Sequence, residues 1–290
     1  MNQLVHTNKT IGDFINRNYV SLKINGDSLA GKQLREKYQY PGYPTTILLT
    51  ATGAEIDRIV GFDGDKDEYF QILKNYTAGR QTLTDYLTIL TKESNNYDAN
   101  YAVLKKYEDR NDFKSMQTYA AILLKLDPEN NKGKQNELLY TLAYCRYKIT
   151  GDITVISDFI AKCTDDQWIE RGYQNIIRHF SKSQDRKRVI ATYETALERL
   201  PRSTDLMNAY AWYIFQNKVT NHYARGITVA RRAVELEPEA DNIWDTLGQL
   251  SFAAGEIDEA IRAMQKASTL NPREESYRQL LKQYRSQGRP

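Results

Sequence analysis

The sequence predicts an α+β segment followed by an all-α helical solenoid. Three observations indicate this division. Patterns typical of β-strands occur only before about residue 80. Beyond that point, apolar residues recur at helical spacing. Pro201, Pro238 and Pro272 also stand about 34 to 37 residues apart, which indicates a repeated helical unit.

Composition limits the function classes that this chain fits. Its 290 residues are 41% hydrophobic and 27% charged, as in soluble globular proteins. The net charge of +3 is too small to indicate nucleic acid or an anionic membrane as a partner. No apolar run approaches the roughly 20 residues that span a bilayer, and no secretory signal is visible at Met1.

The first 80 residues alternate between helix and strand patterns. The predicted helices, with apolar residues on one face, are Thr10–Asn18, Leu29–Tyr38 and Lys66–Tyr76. The predicted strands, which are β-rich, are Tyr19–Ile24, Pro44–Ala51 and Glu55–Phe62. The Thr52-Gly53 turn joins the last two strands in a hairpin.

This order of elements, with the residues that punctuate it, resembles a thioredoxin-like domain. The residues that carry the resemblance are Gly42-Tyr43-Pro44-Thr45, the Thr52-Gly53 turn, Gly61 and the run from Asp13 to Val20. That run is similar to exported members of the family, which often precede helical repeats. The resemblance implies a cis peptide bond before Pro44. It also implies that Tyr43, Pro44 and Thr45 offer a strand-like edge to an extended peptide.

The residues that give the family its activity are absent from this sequence. Thioredoxin-like domains carry Cys-x-x-Cys at a helix N-terminus, where the helix dipole lowers the pKa of one thiol. The only cysteines here are Cys145 and Cys163. We expect both to be buried structural thiols about 8 Å apart in height, which is too far for a disulfide. We therefore expect no catalytic residue in this chain.

Residues 1–80 are thus predicted to be a thioredoxin-like domain that lacks its first strand and its dithiol. In the family, the missing strand lies between those that match Tyr19–Ile24 and Pro44–Ala51, so its loss leaves unpaired backbone groups on both. Three explanations stay open. An upstream strand, cysteines and export signal are missing, or Asn2–His6 or another segment, such as one from a second molecule, fills the gap, or the region is a partly disordered remnant. The first would place the protein in the periplasm, and otherwise it is expected in the cytoplasm.

The clearest repeat lies in Asn242–Pro272. Its spaced residues are Trp244, Leu247, Gly248, Gly255, Ala260, Met264, Ala267 and Pro272. They resemble a tetratricopeptide (TPR) repeat, a helix–turn–helix unit with small residues where its two helices meet. Ser251 and Met264 depart from the pattern, which usually has aromatic residues there.

The rest of the chain follows from this period. Residues 81–96 are predicted to form a linker helix, and residues 97–290 are predicted to form five helix pairs with a capping helix. The predicted pairs are 97–107 with 112–126, 135–147 with 153–162, 167–180 with 186–200, 204–216 with 222–236, and the two helices of 242–272. The capping helix is predicted over Glu274–Ser286.

The first helix of each pair would line the concave surface of such an array. The residues predicted there are Arg171, Gln174, Arg178, Asn208, Trp212, Asp245 and Gln249. Mixed polar groups with an aromatic side chain suit an extended or helical peptide. The alternative is a hydrated groove without a ligand.

No cofactor is expected. His6, His179 and His222 have no metal-ligand spacing, and no nucleotide-binding motif occurs. The basic run Lys182–Arg188 is interpreted as a solvated turn. The sequence therefore favours a protein-binding scaffold with a redox-inactive thioredoxin-like part, open to oligomerisation through its incomplete sheet. The alternative is a thiol–disulfide oxidoreductase whose Cys-x-x-Cys segment is missing from this chain.

Overall fold

A computed structural model describes residues 1, 4, 5 and 7–287. The chain forms two compact units, Met1–Val155 and Ile156–Pro290. Asn2, Gln3 and His6 lie outside the described residues. The gap-filling role suggested for the segment Asn2–His6 therefore stays a prediction. Within the described residues, no helix is both long and apolar enough to cross a membrane.

The first unit begins with helices on either side of a β-hairpin. In order, its elements are α1 (Lys9–Asn18), α2 (Leu29–Tyr38), β1 (Thr45–Leu49), β2 (Glu55–Val60), α3 (Lys66–Thr77) and α4 (Leu83–Lys92). Side chains cap the helix starts, as when Asn8 Oδ1 accepts from the N–H of Ile11 at 3.2 Å. The predicted helices and the hairpin are confirmed. The Tyr43–Pro44 bond is cis, as the resemblance implies.

The strand predicted over Tyr19–Ile24 is wrong. Tyr19 is extended, with φ −141° and ψ 157°, but the segment joins no sheet in the described part of the chain. The sheet there consists of β1 and β2, paired antiparallel with Thr46 opposite Ile59 and Leu48 opposite Asp57. A strand persists only where a neighbour takes up its N–H and C=O groups. The segment lacks that neighbour, so its β-rich composition is not sufficient.

The hairpin and the helices around it share one apolar core. Its buried side chains are Val5, Ile11, Leu48, Ile59, Tyr69, Leu73 and Tyr76. Phe14 of α1 packs edge-on against Phe70 of α3, with ring centroids 5.3 Å apart. The amphipathic faces predicted for α1 and α3 therefore meet over the hairpin.

Helix pairs make up the rest of both units. In the first unit they are α5 (Tyr97–Glu108), α6 (Phe113–Leu126) and α7 (Gln135–Thr150), and α8 (Thr154–Lys162) spans the boundary. The second unit continues with α9 (Asp166–Lys182), α10 (Arg186–Arg199), α11 (Thr204–Gln216), α12 (Tyr223–Leu236), α13 (Asp241–Ala253), α14 (Ile257–Leu270) and α15 (Glu275–Gln287). All predicted helices are confirmed. The turn between α11 and α12 contains a short 3-10 helix, Thr220–His222.

The turn inside a helix pair recurs with similar geometry. In all five pairs it contains a residue with positive φ, and in four of them, at Asn111, Gln184, Lys218 and Gly255, it also has one hydrogen bond in common. The N–H of the next residue then bonds back to a carbonyl five residues earlier, as from Glu256 to Ser251 at 2.9 Å. The same bond joins Asp112 to Tyr107, Asp185 to Phe180 and Val219 to Ile214. These turns are structurally equivalent although glycine marks just one of the four in the sequence.

The ends of the second helices are equivalent as well. The last residues before the prolines have φ between −126° and −132°, and they are Asp127, Leu200, Glu237 and Asn271. A residue that precedes proline is disfavoured in the helical region, so the helix stops there. The recurring prolines thus mark one structural position, as the spacing predicts.

Glycines allow close helix contacts in the second unit. A Cβ atom added to Gly172 would lie 2.7 Å from Ile160, and one added to Gly226 would lie 2.8 Å from Leu250. At Gly248 it would lie 3.2 Å from the end of Met264. With the recurring turns and helix ends, these contacts identify the pairs as TPR-like helical repeats.

Candidate functional site

The predicted edge at Tyr43, Pro44 and Thr45 lies where β1 begins. The carbonyl of Pro44 accepts a hydrogen bond from the N–H of Gly61 at 2.8 Å. Successive residues of a strand point their backbone groups to opposite sides. The groups of Thr45 therefore point away from β2, toward the edge of β1 that has no neighbouring strand among the described residues.

Tyr43 presents an exposed aromatic side chain beside this edge. It is 54% exposed, and its ring centroid lies 5.8 Å from that of Tyr40. The guanidinium of Arg35 lies 5.9 Å from both ring centroids. The other face of Tyr43 packs directly on Gly26, where an added Cβ would lie 2.1 Å from the ring. The edge therefore places backbone groups that have no neighbouring strand in the described part of the chain beside an exposed aromatic ring.

The predicted groove residues lie on three first helices of the second unit. On α9, Arg171, Gln174 and Arg178 are exposed. On α11 and α13 the side chains are half-buried, namely Asn208, Trp212, Asp245 and Gln249. The spacing of three or four residues keeps each set on one face of its helix.

Two hydrogen bonds connect the start of α11 to the neighbouring repeats. Ser203, the N-cap of α11, donates its hydroxyl to Glu170 of α9 at 2.8 Å. Thr204 donates to Glu237, the residue that ends α12, at 2.5 Å. Each bond joins residues 33 positions apart, which is one repeat. The repeat period therefore appears directly as contacts on the helices that carry the predicted groove residues.

Charge differs between the helices that carry the groove residues. On α9, the Arg171 guanidinium lies 5.3 Å from the ring of Trp168, and Gln174 donates to Glu170 at 3.1 Å. On α13, the carboxylate of Asp245 accepts from Gln249 at 2.8 Å. Burial raises the pKa of Asp245 above its usual value. The α9 face is thus rich in arginine, whereas α13 presents a half-buried carboxyl group.

Asn208 has an unsatisfied polar atom among these residues. Its Oδ1 atom is shielded from solvent and has no hydrogen-bond partner in the described part of the chain. One turn further along α11, Trp212 packs against Phe215 with ring centroids 5.4 Å apart. Sequence reasoning missed Trp168, Glu170 and Phe215, although each stands three or four residues from a predicted groove residue.

The thiols do not form a reactive site. Cys145 and Cys163 are both free and buried, and burial raises the pKa of the Cys145 thiol to about 12. The Cys163 thiol contacts the carbonyl of Asp165 at 3.7 Å. A nucleophilic cysteine needs a lowered pKa and access to solvent, so Cys145 has the properties of a structural thiol.

A buried carboxylate that the sequence analysis missed lies in the first unit. Asp57 of β2 is 0% exposed. It is 2.8 Å from Lys106 Nζ and 2.9 Å from an Arg110 nitrogen, both at the end of α5. It also accepts from the backbone N–H groups of Arg58 and Leu83, each at 2.8 Å. Four donors thus satisfy one carboxylate, which connects the hairpin to the start of α4 and to the end of α5.

Further charged side chains surround this carboxylate. Arg58 is 2% exposed and contacts Glu55 at 2.8 Å and the carbonyl of Asp109 at 3.1 Å. Lys106 also contacts the Tyr76 hydroxyl at 2.5 Å. Burial lowers the pKa of Lys106. Because Glu55, Asp57, Arg58 and Lys106 all have protein partners, the cluster acts as a structural junction.

The basic run Lys182–Arg188 forms the turn between α9 and α10. Asp185 caps α10 by accepting from the N–H of Arg188 at 3.0 Å. The Arg188 guanidinium pairs with the Asp185 carboxylate at 2.6 Å and lies 4.7 Å from the Phe180 ring. This arrangement fits the interpretation of the run as a turn. No group of three His, Cys, Asp or Glu side chains among the described residues is arranged to hold a metal ion.

Comparisons with known proteins give similarities of fold. No protein-family model and no curated protein matches the chain. Among solved structures, a tetratricopeptide repeat protein from Parabacteroides merdae is 14% identical, with 65% of this chain and 72% of that chain covered and a TM-score of 0.46. Yeast Tom70 is 16% identical over 70% of this chain and 42% of its own, with a TM-score of 0.48. YrrB, described as a TPR protein with an unusual peptide-binding site, is 10% identical over 68% and 97%, with a TM-score of 0.42.

Proposed function

We propose that this protein is a protein-binding scaffold whose α9, α11 and α13 helices hold a peptide. The observation that carries the proposal is the unpaired amide oxygen of Asn208, which lies among polar and aromatic side chains on these helices. A buried acceptor without a partner costs about 1–3 kcal/mol. A ligand N–H group that reaches Asn208 would recover that free energy on binding.

The neighbouring groups supply the other features of a peptide site. Trp212 offers an aromatic surface of the kind that dominates the energetics of protein interfaces. Arg171 and Arg178 suit carboxylates of a ligand, because guanidinium groups pair with them in bidentate fashion. Asp245 and Gln249 supply acceptors on α13. The ligand favoured by this set is a polar peptide with at least one acidic side chain.

The test is a selection from a random peptide library on the immobilised full chain, followed by calorimetric titration of enriched peptides. We expect Trp212→Ala and Asn208→Ala each to weaken binding at least about tenfold, equivalent to roughly 1.4 kcal/mol. The matched control is Glu198→Ala, since Glu198 is exposed on α10, a second helix. Equal affinity of every variant for the selected peptides would contradict the groove.

We also infer that residues 1–80 are a thioredoxin-like remnant with a peptide-accepting edge at Tyr43, Pro44 and Thr45. The order of α1, an extended segment, α2, β1, β2 and α3 supports this inference. The exposed ring of Tyr43 beside the unpaired side of β1 supports the edge. No observation on the described residues favours the thiol–disulfide oxidoreductase alternative.

A further inference from the structure

Exposed basic side chains are concentrated at the turn between α9 and α10. Lys182, Arg186 and Lys187 are exposed at this turn, and Arg178 is exposed one helical turn earlier on α9. We call these four residues the basic cluster. Between Arg178 and Lys187 the sequence contains one acidic residue, Asp185. Positive charge is therefore in clear excess at this end of the two helices.

Within the described part of the chain, ion pairs do not neutralise the basic cluster. The Asp185 carboxylate pairs with Arg188 at 2.6 Å, and that guanidinium also lies 4.7 Å from the Phe180 ring. Hydrogen bonds from Arg188 lower the pKa of Asp185, and the nearby charge of Lys187 lowers it further. No carboxylate among the described residues lies within ion-pair distance of the four cluster residues. The cluster thus keeps charges that an anionic partner can neutralise.

An equivalent turn shows that the fold does not require this positive charge. The turn at Gly255 has the same backbone hydrogen bond, yet its charged residues are all acidic, namely Glu256, Asp258 and Glu259. The acidic residue of the α9–α10 turn, Asp185, is the N-cap of α10, as Asp112 is of α6. The cap stabilises the start of the helix, whereas the cluster side chains make no comparable contact with the described residues.

Regular structure holds the basic cluster in place. Arg178 and Lys182 stand four positions apart on α9, so they lie on one face of that helix. Arg186 and Lys187 are the first two residues of α10, where the helix dipole adds partial positive charge. Asp185 closes the turn between the two helices through its backbone hydrogen bond and its cap. Two fixed helix ends lose less conformational freedom on binding than a mobile loop would.

The surroundings of the basic cluster favour a polypeptide carboxylate over other anions. Arginine pairs with carboxylates in bidentate fashion. Single-stranded nucleic acid stacks its bases on aromatic side chains, but Phe180 of this turn is half-buried and in contact with Arg188. A membrane surface takes up exposed apolar side chains, and no large apolar side chain among the described residues of the second unit is exposed. An acidic polypeptide needs neither feature.

We propose that the basic cluster binds an acidic segment of another polypeptide, in which several carboxylates stand close together in the sequence. These carboxylates pair with Arg178, Lys182, Arg186 and Lys187. Arg178 also belongs to the groove proposed above, whereas the other three residues do not. The proposal therefore goes beyond the groove and does not require a peptide to bind there.

The probe is a fluorescein-labelled polyglutamate peptide, titrated with the full chain and followed by anisotropy. We expect saturable binding that weakens at least about tenfold between about 0.1 M and 1 M NaCl, because the screening length falls from about 10 Å to about 3 Å. The double variant Arg186→Glu with Lys187→Glu should also bind at least about tenfold more weakly. Acidic residues are favourable in the first turn of a helix, so this variant keeps α10 intact.

The matched control is the double variant Arg273→Glu with Lys282→Glu, because both residues are exposed in the same unit. Each double variant lowers the formal net charge by four, from +3 to −1. The control variant should bind polyglutamate as the unsubstituted chain does, and a glycine–serine peptide should not bind. Circular dichroism melts establish that both variants remain folded.

Several results would overturn the proposal. One is that polyglutamate does not saturate below about 1 mM protein. Another is that the two double variants weaken binding equally, because net charge rather than the basic cluster is then responsible. Tighter binding of polyuridine RNA, or of vesicles that contain phosphatidylserine, would assign the cluster to a different class of partner.

Discussion

The contacts that stabilise the interior of each unit differ in kind. In the second unit, helices meet where small residues allow close approach, as between Gly248 and Met264. In the first unit, a hairpin is fixed to helices by buried charges around Asp57. Small residues that recur at a fixed period can be recognised in the sequence of each repeat. An ion pair between residues 53 positions apart has no such local pattern.

The largest expected effect is that of Asp57→Ala in the first unit. The substitution leaves the buried Lys106 without a carboxylate partner and leaves Arg110 paired with Glu55 alone, so we expect a loss of about 3–5 kcal/mol. Alkylation of Cys145 reports opening of this unit, in a Cys163→Ala background. The control is Asp13→Ala, which removes a solvent-exposed pair with Lys9 and should cost less than about 1 kcal/mol. Equal alkylation rates for the two variants would remove the charged half of the comparison.

The next effect is that of Gly248→Leu in the second unit. Overpacking against Met264 should cost about 1–3 kcal/mol. Tryptophan fluorescence during urea unfolding reports this unit, because Trp168, Trp212 and Trp244 all lie in it. Ala253→Leu is the control, since Ala253 is exposed on the same helix. A transition unchanged by Gly248→Leu would contradict the helix contact.

A smaller effect concerns the pH dependence of the first unit. Burial raises the pKa of Asp109 to about 6, whereas an unfolded aspartate has a pKa of about 3.9. Folding favours the protonated form, so the stability that Asp109 contributes is fully present below about pH 4 and is lost as the pH rises through about 6. Asp109→Asn should remove this decline and stabilise the unit by about 1–2 kcal/mol at pH 7.5, with allowance for partial solvent exposure.

The measurement is the Cys145 alkylation rate at several pH values, corrected for the reactivity of a free thiol. Asp158→Asn is the control, because Asp158 is exposed on α8. A stability profile that Asp109→Asn leaves unchanged would show that another group causes the pH dependence.

The last prediction is that the chain does not catalyse insulin reduction. Burial raises the pKa of Cys145 to about 12, so almost no thiolate forms at neutral pH. We expect the chain to catalyse no insulin reduction above the buffer rate. A measurable rate that Cys145→Ala removes would make this thiol functional rather than structural.

The sequence predicts much of this fold because its signals are local and repeated. Prolines such as Pro238 stop a helix wherever they occur, and caps such as Asn96 act within one turn. The sequence also places the turns that contain Asn111, Gln184 and Lys218 between predicted helices, but it does not indicate their positive φ, because a residue other than glycine adopts it there. The Tyr19–Ile24 strand failed because pairing depends on a neighbour that its composition cannot supply.

The candidate sites divide in the same way. Helical spacing was sufficient to place Asn208 and Trp212 on one face of α11. It gave no sign that the amide oxygen of Asn208 lacks a partner, since that depends on packing around it. Likewise, nothing in the run Glu55–Val60 indicates that Asp57 meets Lys106, because the two residues belong to different elements.

The hydrogen bonds from Ser203 to Glu170 and from Thr204 to Glu237 limit how this chain can change in length. Each spans 33 positions, so a gene duplication or loss of one full repeat keeps the donors and acceptors in phase. An insertion of a few residues in a helix between one of these hydroxyls and its glutamate would move the two groups apart. Growth of the array is thus expected in whole repeats, with shorter insertions confined to turns such as the one at Thr220–His222.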